Sequence, residues 1–227
     1  MSKFRVSDRF TKRFAVLLFL LGIFCIPVFP ANRNVDLNEA KKALSKAIAF
    51  QREAKDLSLQ FKAKVYNSAL DKNEEYEGKL WIKDSVHFRL EIPSGTYVSD
   101  GKNYWEYHKQ NKQVVIRKAK DLEDKPLPGD VMLRFLDSEP LAIKTSKIGG
   151  KTFFELSLDP SRAMKSLDSL VVFLDPKNYS LQMVQSRDVS GNESKYTVVS
   201  IKRNRGLKED EFVFLPPKGS DIVDMRE

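Results

Sequence analysis

Apolar residues recur with two different spacings along this chain of 227 residues, and each spacing predicts a different kind of element. Between Asp36 and Leu57 they come at steps of three and four, which is the spacing of an amphipathic helix. The positions on this apolar face are Ala40, Ala43, Leu44, Ala47, Ile48 and Ala54. Asp36 or Asn38 can cap the first turn by accepting hydrogen bonds from free backbone N–H groups. Because most of the face is alanine, we expect the helix to lie close to a surface without burying large side chains.

From Leu57 onward the period changes to two, which predicts a half-buried strand. The apolar side of this strand carries Leu57, Leu59, Phe61, Ala63 and Val65. The same alternation returns in seven later runs, at residues 78–83, 87–92, 151–159, 169–175, 179–185, 195–202 and 210–216. Turn residues such as Gly149-Gly150 and Asp175-Pro176 separate these runs. We expect about ten or eleven strands in one antiparallel meander.

The stretch VSDGKNYWEYHKQNKQV, residues 98–114, predicts a hairpin. Its Asp100-Gly101 step supplies the positive φ that a tight turn needs. On the outgoing strand Tyr104 shares one side with Glu106, and Trp105 shares the other side with Tyr107. The polar residues that follow are expected to form the next turn before the sheet resumes.

One segment interrupts the strand pattern. Residues 125–142 combine three prolines with a short apolar cluster at Val131–Leu136, which favours a short helix or an ordered loop over a strand. A sheet of so many short amphipathic strands must curl, and it either closes into a barrel or needs a cover across its concave face. The alanine-rich helix and the Val131–Leu136 segment are the candidates for that cover. Small side chains in a cover can leave an apolar hollow suited to apolar ligands, and a well-filled core is the alternative.

Residues 1–31 have the composition of an export signal. Five basic residues precede an unbroken apolar stretch of 16 residues, 14–29. This stretch contains Pro27 and is shorter than the roughly 20 residues that span a bilayer. We predict a signal peptide at 1–31 and a folded domain at 32–227, with an uncleaved membrane anchor as the alternative. Cys25 lies within the apolar stretch, and the bulky residues before it argue against lipidation.

Charge and residue types exclude several function classes for the rest of the chain. The net charge of +8 includes five basic residues and one acidic residue in the first 31, so residues 32–227 carry about +4 from 34 basic and 30 acidic groups. This mild basicity is unlike a nucleic-acid footprint. Without cysteine, and with only His87 and His108, this part of the chain predicts no disulfide, zinc site or nucleophilic triad. We expect no catalytic residues, no metal, no cofactor and no nucleic-acid partner.

Several motifs, taken in order, resemble one known family. They include FKAKV, EGKLWIK and FRLE, then the Val98-Ser-Asp-Gly-Lys step followed by Trp105-x-Tyr107, and finally the Phe212-x-Phe-x-Pro-Pro-x-Gly pattern. The chain resembles the periplasmic outer-membrane lipoprotein carrier proteins, LolA, from its first helix to its last strand. The resemblance implies a mainly β fold with helices (α+β). It would be an unclosed antiparallel β-barrel of about eleven strands, covered by the N-terminal amphipathic helix and a short helical insertion.

The resemblance also implies a function. Such a carrier shields the acyl chains of a lipoprotein in an apolar cavity and has no catalytic activity. It receives the lipoprotein from an inner-membrane ABC-type release complex and passes it to an outer-membrane receptor of similar fold. We therefore expect a monomer exported to the periplasm, with lipoprotein acyl chains as its ligand.

Matching the strands to the family implies which side chains line the cavity. The expected lining residues are Leu44, Ile48, Leu59, Phe61, Leu80, Ile82, Phe88, Leu90 and Ile92. A cavity lining and a plain core require the same side chains, so ordinary core packing is the alternative for each of them.

The position of the family's lid latch departs from the family pattern. There, an arginine after the Leu-Trp-x-Lys strand ties the lid by hydrogen bonds, and in this chain that position is Asp84. An ionised aspartate accepts hydrogen bonds and cannot donate them. Lys83 or Arg89 is a candidate to substitute. The departure keeps open a carrier of the same fold for another envelope lipid or glycolipid, and a lipid sensor is a further alternative.

Overall fold

One long helix precedes the sheet, as predicted. The computed structural model describes residues 36–84, 86–122, 132, 135–160 and 166–226. Helix α1 spans Leu37–Arg52, and Asp36 caps it because its Oδ1 accepts from the N–H groups of Asn38 and Glu39 at 3.0 Å each. The predicted signal peptide at 1–31 lies outside the described residues, so the signal and the domain boundary stay predictions.

Twelve strands form one sheet in the described part of the chain. They are β1 Leu57–Asn67, β2 Lys72–Ile82, β3 His87–Ile92, β4 Gly95–Asp100, β5 Asn103–His108, β6 Gln113–Lys118, β7 Glu139–Ile148, β8 Lys151–Asp159, β9 Leu167–Leu174, β10 Leu181–Asp188, β11 Glu193–Arg203 and β12 Asp221–Asp224. Their order is β12-β6-β5-β4-β3-β2-β1-β11-β10-β9-β8-β7. Because β12 and β7 are the two edges, the sheet is open, which confirms the predicted unclosed, mainly antiparallel architecture.

The connectivity is not the single meander that we expected. Strands β1 to β6 form one antiparallel meander and β7 to β11 form a second, and the two meet where β1 pairs antiparallel with β11. The short strand β12 pairs parallel with β6. Alternation of apolar residues fixes which face a side chain occupies but does not identify its neighbouring strand, so this junction was not predictable from spacing.

The hairpin around residues 98–114 is confirmed. Gly101 has φ of +81°, and the Asp100 carboxylate accepts from the N–H groups of Lys102 at 2.8 Å and Asn103 at 2.6 Å. Tyr104 lies in the main apolar cluster, whereas Trp105 packs in a separate cluster on the opposite face. The aromatic residues of this strand therefore serve two different layers.

The opposite face is covered by the C-terminal segment. Phe214 packs with Val98, Trp105, Val114 and Ile116, all of them buried, and Tyr107 stacks on Phe214 with ring centroids 5.7 Å apart. The main apolar cluster lies on the other face of the sheet, which we call the inner face, and includes residues of α1 and of most strands. The sheet thus has an apolar layer on both faces over β4 to β6.

Three segments differ from the predicted elements. Residues 210–216 alternate like a strand, but Glu209–Phe212 is a 3₁₀ turn and the segment does not join the sheet. Phe212 is buried edge-on against His87, and Phe214 packs in the Trp105 cluster. Strand β7 begins at Glu139, inside the proline-rich segment that was not expected to form a strand. Pro140 is tolerated there because β7 is an edge strand, where a missing N–H costs little. Strand β12 is only four residues long and carries no clear alternation.

Half of the predicted helical insertion at Val131–Leu136 lies outside the described residues. Within the described part, Met132 is buried and Phe135–Asp137 form a 3₁₀ turn. Both Met132 and Phe135 belong to the main apolar cluster. The segment therefore contributes apolar side chains to the inner face.

Candidate functional site

Helix α1 covers part of the inner face with small side chains. It packs against β7, β8 and the 3₁₀ turn at Phe135–Asp137. Its buried residues are Ala40, Ala43, Leu44 and Ala47. Three of these four are alanine, so the helix backbone approaches the sheet closely while little side-chain volume interlocks with it. Such a cover buries less apolar area than a leucine-rich helix of equal length.

The nine side chains predicted to line a cavity all lie in the main apolar cluster. Leu44, Leu59, Phe61, Leu80, Leu90 and Ile92 are buried in it, and Ile48, Ile82 and Phe88 are partly buried and pack against it. The structure therefore brings them together from α1, β1, β2 and β3. This packing is common to a core and to a lining, and their role as a lining stays a prediction.

A small cavity lies between α1 and the sheet. Its volume is about 10 Å³, which is room for about one water molecule. It is lined by Ala47, Phe50, Gln51, Leu57, Leu59, Ile82, Met132, Phe135, Leu181 and Ile201. Among the residues that the structure describes, the large hollow is not open at this place, and Met132, Phe135 and Phe50 border the small cavity that the alanines leave. An acyl chain would need α1 or the Met132–Phe135 side to move away.

Sequence analysis missed several of these lining residues. Leu181 and Ile201 lie on predicted strands β10 and β11, but nothing in their spacing placed those strands opposite α1. The pairing of β1 with β11, in which Leu59 lies opposite Ile201, is what brings these strands beneath α1. Met132 was recognised as part of an apolar cluster, and its burial beneath the helix required the folded chain.

Two cation–aromatic contacts hold α1 to the sheet. Lys46 Nζ lies 4.5 Å from the centroid of the Tyr179 ring and donates a hydrogen bond to its hydroxyl at 3.3 Å. Tyr179 has φ of +61°, an unusual value for a bulky residue, and its ring stacks on Phe154 at 5.7 Å. Near the other end of the helix, the Arg203 guanidinium lies 4.4 Å from the centroid of Phe50. Contacts of this kind are weak at exposed sites, so these two contacts hold α1 only weakly.

The chain just after α1 is fixed much more firmly. Asp56 is only 4% exposed, and its carboxylate accepts from the backbone N–H groups of Arg205 at 2.7 Å, Gly206 at 2.8 Å and Leu207 at 3.1 Å. Burial acts to raise the pKa of Asp56, but these backbone hydrogen bonds and the charge of Arg205 outweigh it, so the pKa is lowered. The Asn204 side chain also accepts from the N–H of Lys55 at 2.8 Å.

The three latch candidates make other contacts. Asp84 accepts from the N–H groups of Val86 and His87 and bonds to His87 Nδ1, all within its own turn. Lys83 Nζ lies 3.3 Å from Glu209. Arg89 pairs with Glu91 in its own strand and donates to the Glu211 carbonyl at 3.4 Å. In the described residues the bonds of Lys83 and Arg89 reach the C-terminal segment and none of the three contacts α1, so a latch role for any of them stays a prediction.

Phenol groups line one end of the apolar cluster. Burial raises the pKa of Tyr76, and the neighbouring Tyr196 raises it further. Burial also raises the pKa of Tyr97. Phe61 packs edge-on against Tyr196 at 5.8 Å. Because these shifts are upward, the phenols of Tyr76 and Tyr97 stay neutral at physiological pH and offer hydroxyl groups without charge.

Features of other kinds of site are missing from the described part of the chain. Across the described ranges, no group of three or more His, Cys, Asp or Glu side chains is placed to hold a metal ion. The helices in the described ranges include none with the length and apolar character needed to cross a membrane. His87 and His108 each contact a carboxylate, of Asp84 and Glu106 respectively. The apolar cluster beneath α1 is therefore the candidate functional site.

Replacing Lys46 with methionine should loosen α1. Methionine keeps the apolar stem and removes the cation that contacts Tyr179, so we expect amide hydrogen exchange in α1 to become about threefold faster. Lys42→Met is the matched control, because Lys42 is an exposed lysine on the same helix. Equal exchange rates in the two variants would show that the Lys46–Tyr179 contact does not hold the helix.

Comparison with known proteins places this chain in a family. The family described as outer membrane lipoprotein carrier protein LolA matches residues 52–215, which is more than half of the chain. An outer-membrane lipoprotein carrier protein from Chromobacterium violaceum is 29% identical over 185 residues, covering 80% of this chain and 87% of that protein. One of the same description from Pectobacterium carotovorum is 26% identical over 157 residues, covering 68% of this chain and 74% of that protein.

The fold is also found among solved structures. An uncharacterized conserved protein from Thermus thermophilus superposes with a TM-score of 0.54 at 14% identity, covering 82% of this chain and 99% of that one. That likeness concerns the fold alone. Together with the sequence match over 52–215, the open sheet beneath α1 leads to one conclusion: the chain belongs to the outer membrane lipoprotein carrier protein LolA family.

Proposed function

We propose that this protein is an exported carrier that shields lipoprotein acyl chains between α1 and the inner face of the sheet. The observation that carries the proposal is the alanine-faced helix, which closes an extensive apolar cluster with weak contacts and leaves a cavity of about 10 Å³. In this proposal, the small cavity belongs to the closed, unloaded conformation of the site. Loading would exchange contacts between α1 and the sheet for contacts between acyl chains and the sheet.

The energy scale fits a reversible carrier. Burying one acyl chain of about 16 carbons is worth on the order of 12 kcal/mol, at about 0.8 kcal/mol per methylene. Displacing α1 opposes this gain, because Leu44 and its neighbouring alanines lose their contact with the sheet. A cover of small side chains keeps that cost low, so the net affinity can be strong enough for transport and weak enough for release.

The family membership supports the wider assignment. In this proposal, residues 1–31 are a signal peptide and residues 32–227 act in the periplasm as a monomer without catalytic activity. The lipoprotein comes from an inner-membrane ABC-type release complex and leaves to an outer-membrane lipoprotein receptor. The nine predicted lining residues, Leu44 to Ile92, would contact the acyl chains.

Competition with a fluorescent fatty-acid probe tests the carrier proposal. We expect the probe to bind the purified protein and to be displaced by an acylated lipoprotein. The same lipoprotein without its acyl chains is the control and should not displace it. Failure of both competitors against a bound probe would contradict lipoprotein transport while leaving an apolar site intact.

A second candidate is a carrier of the same fold for another envelope lipid or glycolipid. Asp84 favours it, since the carboxylate at the family's arginine position is engaged in its own turn. Mass spectrometry of lipids that co-purify with the protein would separate the two. A single species that carries no protein would support the second candidate over the first.

A further inference from the structure

A polar groove lies on the face of the sheet opposite α1. It crosses β1, β2, β9, β10 and β11 and has a volume of about 370 Å³. Its lining includes Lys64, Tyr66, Gln185, Arg187, Glu193 and Lys195. This volume falls in the range of small-molecule sites, and the side chains are polar, unlike those beneath α1. The groove is separate from the proposed acyl-chain site and does not depend on it.

Strand register places two lysines side by side in this groove. Lys64 of β1 pairs directly with Lys195 of β11, and Lys195 pairs with Gln185 of β10. Directly opposed residues on antiparallel strands have Cβ atoms about 5 Å apart, so like charges there repel each other. Lys64 is partly neutralised by Glu75 at 2.6 Å on its other side. Lys195 is half-buried and has no ion pair among the residues that the structure describes.

The neighbouring set of cross-strand pairs on the same face adds a guanidinium and a carboxylate to the groove. Tyr66 pairs with Glu193, and Glu193 pairs with Arg187. Arg187 and Glu193 form no ion pair with each other within the described ranges. Arg187 Nη2 lies instead near the β10–β11 turn at Gly191. Among the described residues the groove therefore presents two cations that form no close ion pair, Lys195 and Arg187, beside acceptors on Glu193 and Gln185.

We propose that this groove binds a glycerophosphate group, either in a free small molecule or in a lipid headgroup. A phosphate oxygen between Lys64 and Lys195 would relieve their repulsion. A guanidinium such as that of Arg187 matches phosphate oxygens in geometry. The carboxylate of Glu193 and the amide of Gln185 accept hydrogen bonds from hydroxyl groups, which a bare inorganic anion lacks.

The test uses the full folded domain and glycerol 3-phosphate as the probe, followed by backbone amide NMR shifts. We expect shifts at Gln185 and Lys195, and about tenfold weaker binding for Lys195→Gln, since a lost charge-assisted hydrogen bond is worth about that factor. The matched control is Lys202→Gln, which removes the same charge from an exposed position of β11 outside the groove and should bind within about twofold of the parent chain. Glycerol should cause no shifts.

Vesicles distinguish the two sources of the group. Co-sedimentation with phosphatidylglycerol vesicles but not phosphatidylcholine vesicles, lost in Lys195→Gln, would assign a lipid headgroup. Binding of glycerol 3-phosphate without vesicle binding would assign a free ligand. Binding of neither probe, or equal loss in Lys195→Gln and Lys202→Gln, would overturn the proposal. Fatty-acid probe binding should be the same in all these variants, so failure here would leave the carrier proposal standing.

Discussion

Replacing Asp56 with alanine should lower the free energy of unfolding by about 4 kcal/mol, since hydrogen bonds to a buried charged group are worth about 1.5 to 3 kcal/mol each. The carboxylate accepts from three backbone N–H groups, of Arg205, Gly206 and Leu207, and these donors would lose their partner. Because Arg205 and Gly206 are exposed, water can replace part of the loss. Urea denaturation at pH 7 measures the effect, and Asp168→Ala, at an exposed position on β9, should be nearly neutral.

The same residue gives a pH dependence with a definite sign. The pKa of Asp56 is lower in the folded state than its ordinary value of 3.8. Its contribution is therefore complete above about pH 5, where the carboxyl is ionised in both states, and is lost as the pH falls through the folded-state pKa. We expect the stability difference between the parent chain and Asp56→Ala to shrink as the pH falls from about 5 through the folded-state pKa. A difference that stayed constant over this range would mean that the carboxylate charge is not what stabilises the folded state.

Gly78→Ala should cost about 3 kcal/mol by overpacking the core beneath Phe61. A Cβ at position 78 would lie 2.3 Å from Phe61 Cζ and less than 3 Å from both Cε atoms of that ring. Phe61 is directly opposite Gly78 in the β1–β2 pairing and is 1% exposed, with Tyr196 against its edge. The Phe61 ring therefore cannot move far from a new methyl group. Because the ring packs directly over the backbone of residue 78, that position requires glycine.

A double-mutant cycle separates steric conflict from loss of backbone freedom. Phe61→Ala alone should cost about 3 to 5 kcal/mol, as expected for a large buried aromatic side chain. In that background, Gly78→Ala should cost less than about 0.5 kcal/mol, because the clashing ring is gone. Additive costs would show that the glycine acts through its backbone and not through the space it leaves for Phe61.

How far the sequence predicts this fold depends on the kind of information required. The helix after Asp36 and the hairpin at Asp100-Gly101 follow from local rules, namely a cap, a spacing and a turn residue, and both are confirmed. The pairing of β1 with β11 and the course of residues 210–216 depend on distant parts of the chain. Phe212 and Phe214 alternate as they would in a strand, but Phe212 packs against His87 and Phe214 against the Trp105 cluster without pairing with any strand, so alternation alone misassigns them.

The candidate site shows the same division. All nine lining residues implied by the family resemblance lie in one cluster, because they stand on the apolar sides of elements that the structure confirms. The sequence left a hollow and a well-filled core as alternatives beneath α1, since the choice depends on Phe50, Met132 and Phe135, which border the small cavity there. Small residues on α1 indicate how closely the helix approaches the sheet. The volume of the cavity between them depends also on side chains from other parts of the chain.

Because the hydrogen bonds of Asp56 fix the chain just after α1, a tilt of this helix would be centred near its C-terminal end. The helix has 16 residues. At 1.5 Å per residue it is about 24 Å long, so a tilt of about 20° would lift its N-terminal end by roughly 8 Å. That displacement is close to the distance between packed helices, and it would break the Lys46–Tyr179 contact while leaving the bonds of Asp56 intact. A small rotation about the C-terminal end of α1 would thus uncover the apolar inner face of the sheet. The gap would widen progressively from Asp56 towards the start of the helix.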